Sequence, residues 1–143
     1  MGITNYYLFI GALLSAIVAL LHIGCIIFGA PWYRFFGAGE KIAVLAEQAS
    51  IIPTIITSFI VLTLLTWSVY AFSGAGVILK LPFLPLVLIV ISAIYSIRGV
   101  AGFFFIAKPM GRSPQFWLWS SAICLVFGVI HFLGVKQMWH DFY

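Results

Sequence analysis

Four long apolar runs, separated by short connections marked by Gly, Pro or charge, dominate the chain. The first runs from about Tyr6 to Gly29 and the second from about Ser50 to Phe72, both without a formal charge. The third, about Leu81 to Ala107, holds a single charge, Arg98; the fourth, about Gln115 to Gly134, holds none. Each approaches or exceeds the roughly 20 apolar residues that a helix needs to cross a bilayer's hydrocarbon. Helices are the expected form, because a helix satisfies its own backbone hydrogen bonds in lipid. A β-barrel would need alternating polar and apolar residues, and runs such as Leu84-Pro85-Leu86-Val87-Leu88-Ile89 do not alternate.

The connections are punctuated. Ala30-Pro31-Trp32 is expected to end the first run, and Gly37-Ala38-Gly39 breaks the chain again. From Glu40 the residues favour helix, so 40–48 reads as a short interfacial helical lead-in, lying on the surface or prolonging the second span. Ser73-Gly74-Ala75-Gly76 marks the second turn, and Lys108 to Pro114 the third, with Ser113-Pro114 a good helix start. The expectation is an all-α integral membrane protein: one domain over 1–143, a four-transmembrane-helix bundle running up-down-up-down. Both termini then share one side, and the first and third connections the other.

Composition agrees. The 143 residues are 64% apolar and 7% charged, against roughly 25% charged in soluble domains, and the mean hydropathy is +1.22. Ten charged residues, seven Lys/Arg and three Asp/Glu, cannot cover a soluble globule's surface. The net charge of +4 is spread thinly, without the basic run of a nucleic-acid binder, and fits a lipid bilayer as partner. The N-terminal residues lack the basic segment of a secretory signal, so the first run is expected to be a retained span. Arg34, Lys41, Lys108 and Arg112 flank one end of the bundle, against Lys80 and Lys136 at the other. That imbalance favours a cytoplasmic position for the first end, with the termini outside a cell (inner) membrane. Trp32, Tyr33, Phe35 and Phe36 at one end, and Trp139, Phe142 and Tyr143 at the other, suit interfacial belts.

Small and polar residues recur at three- and four-residue spacing, which puts them on one helical face. The sets are Gly11, Ser15, Val18, His22, Cys25 and Gly29; Glu47, Ser50, Thr54, Ser58, Val61, Leu65 and Ser68; Tyr95, Arg98 and Gly102 on one flank of the third span with Ser92, Ser96 and Gly99 on the adjacent one; and Trp117, Ser121, Cys124, Gly128 and His131. Such stripes line helix–helix contacts in membranes and by themselves imply packing, not function.

Ionisable residues at membrane depth are functional candidates, because they are costly there. Arg98 lies about nine residues, or roughly 13 Å, from the end of its span. It must reach headgroups, pair, or meet water. Counted from the helix ends, His22, Ser121, Glu47 and Arg98 fall in the same half of the membrane. Glu47, heading its stripe, is the expected counter-ion of Arg98, with Glu40 the other nearby acid; Tyr95, Ser121 and His22 are positioned to add hydrogen bonds. The candidate ligand-binding residues are therefore Arg98, His22, Glu47, Tyr95, Ser121 and Glu40.

Several chemistries are disfavoured. His22 and His131 sit at different depths, against a shared haem. Cys25 and Cys124 are too far apart for a CxxC, and no His/Cys cluster suggests a metal. No phosphate-binding loop is recognisable, and no cofactor is indicated. The acids lie outside the spans, unlike the embedded acid that a cation/proton exchanger uses. Three functions remain: binding or moving a lipophilic or anionic small molecule around Arg98; a membrane enzyme acting on a lipophilic substrate there, with His22 or Glu47 as acid/base and Arg98 holding an oxyanion; or a non-catalytic subunit or scaffold of a larger membrane complex. A homo-oligomer also fits the lateral surface of four helices. The first and second predict that an Arg98 variant folds but loses its ligand; the third predicts little effect.

Overall fold

In a computed structural model, which describes residues 2–142, the chain is all-helical, with no strand among the described residues. Six helices follow in order: α1 (Tyr6–Phe28), α2 (Ala30–Phe35), α3 (Glu40–Glu47), α4 (Ile52–Gly74), α5 (Leu84–Phe104) and α6 (Pro114–Phe142). Four of them, α1, α4, α5 and α6, are long and apolar enough to cross a membrane. Only 28% to 33% of each spanning stretch is buried. Phe59, Leu62 and Ile97, for instance, are exposed on the outer faces. So much outward apolar surface is tolerable in lipid and not in water, which suggests a multi-pass membrane protein.

The helices are organised as two pairs. α1 packs chiefly on α4, and α5 on α6, with lighter contact between the pairs. Leu8, Leu88 and Ile91 are fully buried in the core between the pairs. At the N-terminal end, Asn5 ties the pairs together. Its side chain caps α1 by accepting from Leu8 N (3.1 Å) and donates to Gly134 O of α6 (2.7 Å). Nearby, Thr4 N donates to Ala75 O beyond α4 (2.9 Å).

Several details differ from the sequence reading. The segment after Gly29 is a short helix, α2, because a proline at the start of a helix is favourable: its missing N–H needs no partner there. Tyr33 of α2 turns inward and donates to Thr57 Oγ1 or accepts from it at 2.9 Å, anchoring α2 on α4. α3 is not continuous with α4; the chain reverses at Ala49 (φ 57°) before α4 begins. The inner face of α4 is Pro53, Thr57, Val61, Leu64 and Ser68, so Thr54 and Leu65 of the expected stripe are exposed. α6 continues past Gly134 to Phe142. Tyr143, assigned to the interfacial belt, lies outside the described residues, as does the side chain of Phe142.

Candidate functional site

The α5–α6 pair is drawn together by missing side chains. A Cβ on Gly99 would come within 2.7 Å of Leu125 N, and one on Gly128 within 2.8 Å of Ser96 N. Backbones this close are how membrane helices pack without a hydrophobic driving force. Ser92 Oγ adds a hydrogen bond to Gly128 O (3.1 Å).

Near one end of this pair the side chain of Arg98 crosses from α5 to α6. Its Nη2 donates to Ser120 Oγ at 2.8 Å. Its guanidinium lies 5.1 Å from the ring centroid of Trp117, a cation–π distance. Two polar atoms here are buried with no partner: Arg98 Nη1 and Ser121 Oγ. Both converge on the face of Gly102, where Ser121 Oγ fills the place that a Cβ would take. Ser121 is fully buried. An unmet buried polar group costs about 1–3 kcal/mol, so two side by side stand out in an interior whose one other such atom, among the described residues, is His131 Nε2.

A second cation lies beside the first. Arg112, in the connection between α5 and α6, sits 4.7 Å from the Phe116 ring and 5.7 Å from the Trp117 ring. Trp117 is held by its own hydrogen bond, Nε1 to Pro109 O at 2.7 Å, and by Phe105 at 4.9 Å between centroids. Burial, and then the positive charge of Arg98, lower the pKa of Arg112 from its ordinary value. Two guanidiniums thus share one tryptophan, and neither pairs with an acid among the described residues.

The acids expected to serve Arg98 are engaged elsewhere. Arg34 of α2 grips Glu40 with three hydrogen bonds, Nη2 to Oε1 at 2.7 Å and a forked pair from Nε to Oε2 at 3.1 Å and Oε1 at 3.3 Å. Its Nη1 takes Glu47 at 2.5 Å. The Arg34 hydrogen bonds hold both carboxyls below the usual range, and in turn raise the pKa of Arg34. The expected Glu47–Arg98 pair fails for a local reason. It needed α3 and α4 to be one helix with Glu47 in phase with the inner face; the turn at Ala49 breaks that phase.

The remaining candidates also separate. His22, half-buried, donates from Nδ1 to Val18 O within α1 (2.8 Å). Tyr95 is buried and faces the seam between the pairs, where its hydroxyl meets Ser15 Oγ at 2.8 Å. Its ring stands edge-on to Trp67 and Phe127 and 5.2 Å from His131. His131, also fully buried, donates from Nδ1 to Phe127 O (2.7 Å) and leaves Nε2 unpartnered against Gly11. Of the six named candidates, Arg98 and Ser121 come together here, and Glu40 and Glu47 meet separately on Arg34. Trp117, Ser120, Arg112 and Gly102 complete the group. Arg112 had counted only as a topology charge, though its spacing from Phe116 and Trp117, four and five residues on, could have placed it over them.

A cleft of about 430 Å³ opens at the other end, lined by Thr4, Asn5, Ser73, Lys80 and Asp141 among others. Asn5 and Ser73 there already bond to backbone. No three His, Cys, Asp or Glu side chains gather as a metal site among the described residues. Comparison with family models, curated proteins and solved structures finds no match.

The chemistry of the Arg98 group is one-sided. Guanidinium nitrogens donate and never accept, and the adjacent free hydroxyl can donate as well. Neither an imidazole nor a carboxylate joins them.

Proposed function

We propose that this protein binds, or moves, a lipophilic or anionic small molecule at the Arg98 end of the α5–α6 pair. The observation that carries this reading is the pairing of Arg98 and Arg112 around Trp117 with no acid beside them, while Glu40 and Glu47 are both held by Arg34. A cation at membrane depth costs about 2.5–3.5 kcal/mol on insertion scales, and a bound anion offsets that cost. The same features argue for binding rather than catalysis, because His22 and Glu47, the acid/base candidates, point to other partners.

In this reading the four spans form an up-down-up-down bundle in a cell (inner) membrane. The Arg98 end faces the cytoplasm and the termini lie outside. Contacts at the two ends support the layout. Gly39 lies against Gly111 and Arg112 at one end, and Asn5 reaches Gly134 at the other. The bilayer is the first partner; a second copy or a larger complex is compatible with the exposed spans.

The test is equilibrium binding of dodecyl sulfate, below its micellar concentration, to the protein in phosphatidylcholine nanodiscs, read by native mass spectrometry. Saturable binding that weakens about tenfold or more in Arg98→Met is expected. Binding that is unchanged in a folded Arg98→Met, or no saturable binding at all, overturns the proposal.

A further inference from the structure

Charge balance and donor geometry narrow the class of ligand, an inference that rests on the anion-binding reading above. The site holds two guanidiniums and no acid. A carboxylate or a phosphodiester brings one negative charge and leaves one cation unmatched. A phosphate monoester carries about −1.5 to −2 at neutral pH and matches both. The donors point the same way. Arg98 Nη1 and Ser121 Oγ belong to separate side chains, are buried and unpartnered, and converge on the face of Gly102. Arg112 approaches from the connection, on a tryptophan shared with Arg98. A tetrahedral head with three terminal oxygens can accept from donors on separate side chains. A planar carboxylate is better suited to a single fork. Around this point Phe103 and Phe104 of α5 and Leu118 and Trp119 of α6 are exposed. They give an apolar tail a surface at the level of the head.

We propose that the site binds a lipophilic phosphate monoester, its head taken by Arg98 Nη1 and Ser121 Oγ with the charge of Arg112 beside it, and its tail lying in the bilayer along α5 and α6. Diacylglycerol phosphate and a prenyl monophosphate share this chemistry.

Dodecyl phosphate and dodecyl sulfate separate the charge of the head from its shape. Both carry a tetrahedral head on the same tail, but sulfate stays a monoanion while the phosphate gains its second charge near pH 6. In phosphatidylcholine nanodiscs, the phosphate is expected to bind about tenfold more tightly than the sulfate at pH 8. The two are expected to bind alike at pH 5. Arg112→Gln is expected to erase the difference at pH 8 while both still bind. Equal affinity at pH 8 in the wild type overturns the monoester assignment and leaves anion binding standing. If neither amphiphile binds, both fall. Inorganic phosphate that binds as tightly as dodecyl phosphate overturns the lipophilic part. Arms with phosphatidic acid and with farnesyl phosphate identify the source, the tighter of the two naming the tail; if both bind more weakly than dodecyl sulfate, the assignment is overturned. Because Arg112 lies outside the helices, its variant is a milder test of folding than one at Arg98.

Discussion

Gly102 and Ser121 occupy one another's space: a Cβ on Gly102 would fall on Ser121 Oγ, and would also come within 2.6 Å of Arg98 Nη1. The glycine on α5 is what admits a serine of α6 and the arginine to the same point. Gly102→Ala is therefore expected to push both side chains away. Overpacking of this kind costs about 1–3 kcal/mol, and binding of dodecyl sulfate is expected to fall with it. A thermal melt in detergent, run beside the binding assay, checks both; an alanine variant that melts and binds like the wild type would show that the groups do not depend on this gap.

Ser121→Ala separates stability from binding. The hydroxyl is buried and unpartnered, so its removal relieves a cost of about 1–3 kcal/mol and leaves only a small void. The variant is expected to melt at the same temperature as the wild type or higher, and to bind the anion more weakly. A lower melting temperature would mean that Ser121 is bonded in the unliganded protein.

Tyr95→Phe tests the division between the seam and the Arg98 site. Loss of the Ser15 bond is expected to cost about 0.5–1.5 kcal/mol and to leave anion affinity unchanged, since Tyr95 faces a different part of the bundle. A large drop in affinity with little loss of stability would return Tyr95 to the site.

The Arg34 cluster has a defined acid response. Glu40 and Glu47 have carboxyl pKa values lowered in the folded chain by hydrogen bonds from Arg34. A carboxyl whose folded pKa is depressed adds stability above its unfolded pKa, and that contribution disappears as pH falls through the folded value. All three groups are exposed, so the effect is small and screened by salt. Hydrogen exchange of α3 is expected to quicken below the usual carboxylate range in the wild type, and less so in Glu47→Gln. An equal response in both would assign the acid sensitivity to another group.

The four spans were legible because hydrophobic length alone decides them. The inner faces were less so, for a reason visible on α4. Thr63 and Thr66 donate to the carbonyls of Phe59 and Leu62, one turn back on the same helix (2.9 and 2.8 Å). A hydroxyl satisfied in this way can face lipid. Polar residue type therefore does not mark the interior, and the stripe drawn through Thr54 and Ser58 missed Thr57. Glu47 was misplaced by the turn at Ala49, where a non-glycine residue takes a left-handed conformation that residue type does not announce. Arg98 stood out because a charge in an apolar run is rare whatever the packing. Its companions did not, because Arg112 and Trp117 are ordinary residues for a membrane interface.

The division into two helix pairs has a mechanical consequence. Arg98, Ser120, Ser121, Gly102 and Trp117 all belong to α5 and α6, so this group of side chains is carried by one leaf. The connection between α2 and α3 covers it from outside that leaf: Gly37 lies against Phe116, and Gly39 against Gly111 and Arg112. Parting the leaves would lift that cover from Phe116 and Arg112, while the grip of Arg98 on Ser120 stayed whole.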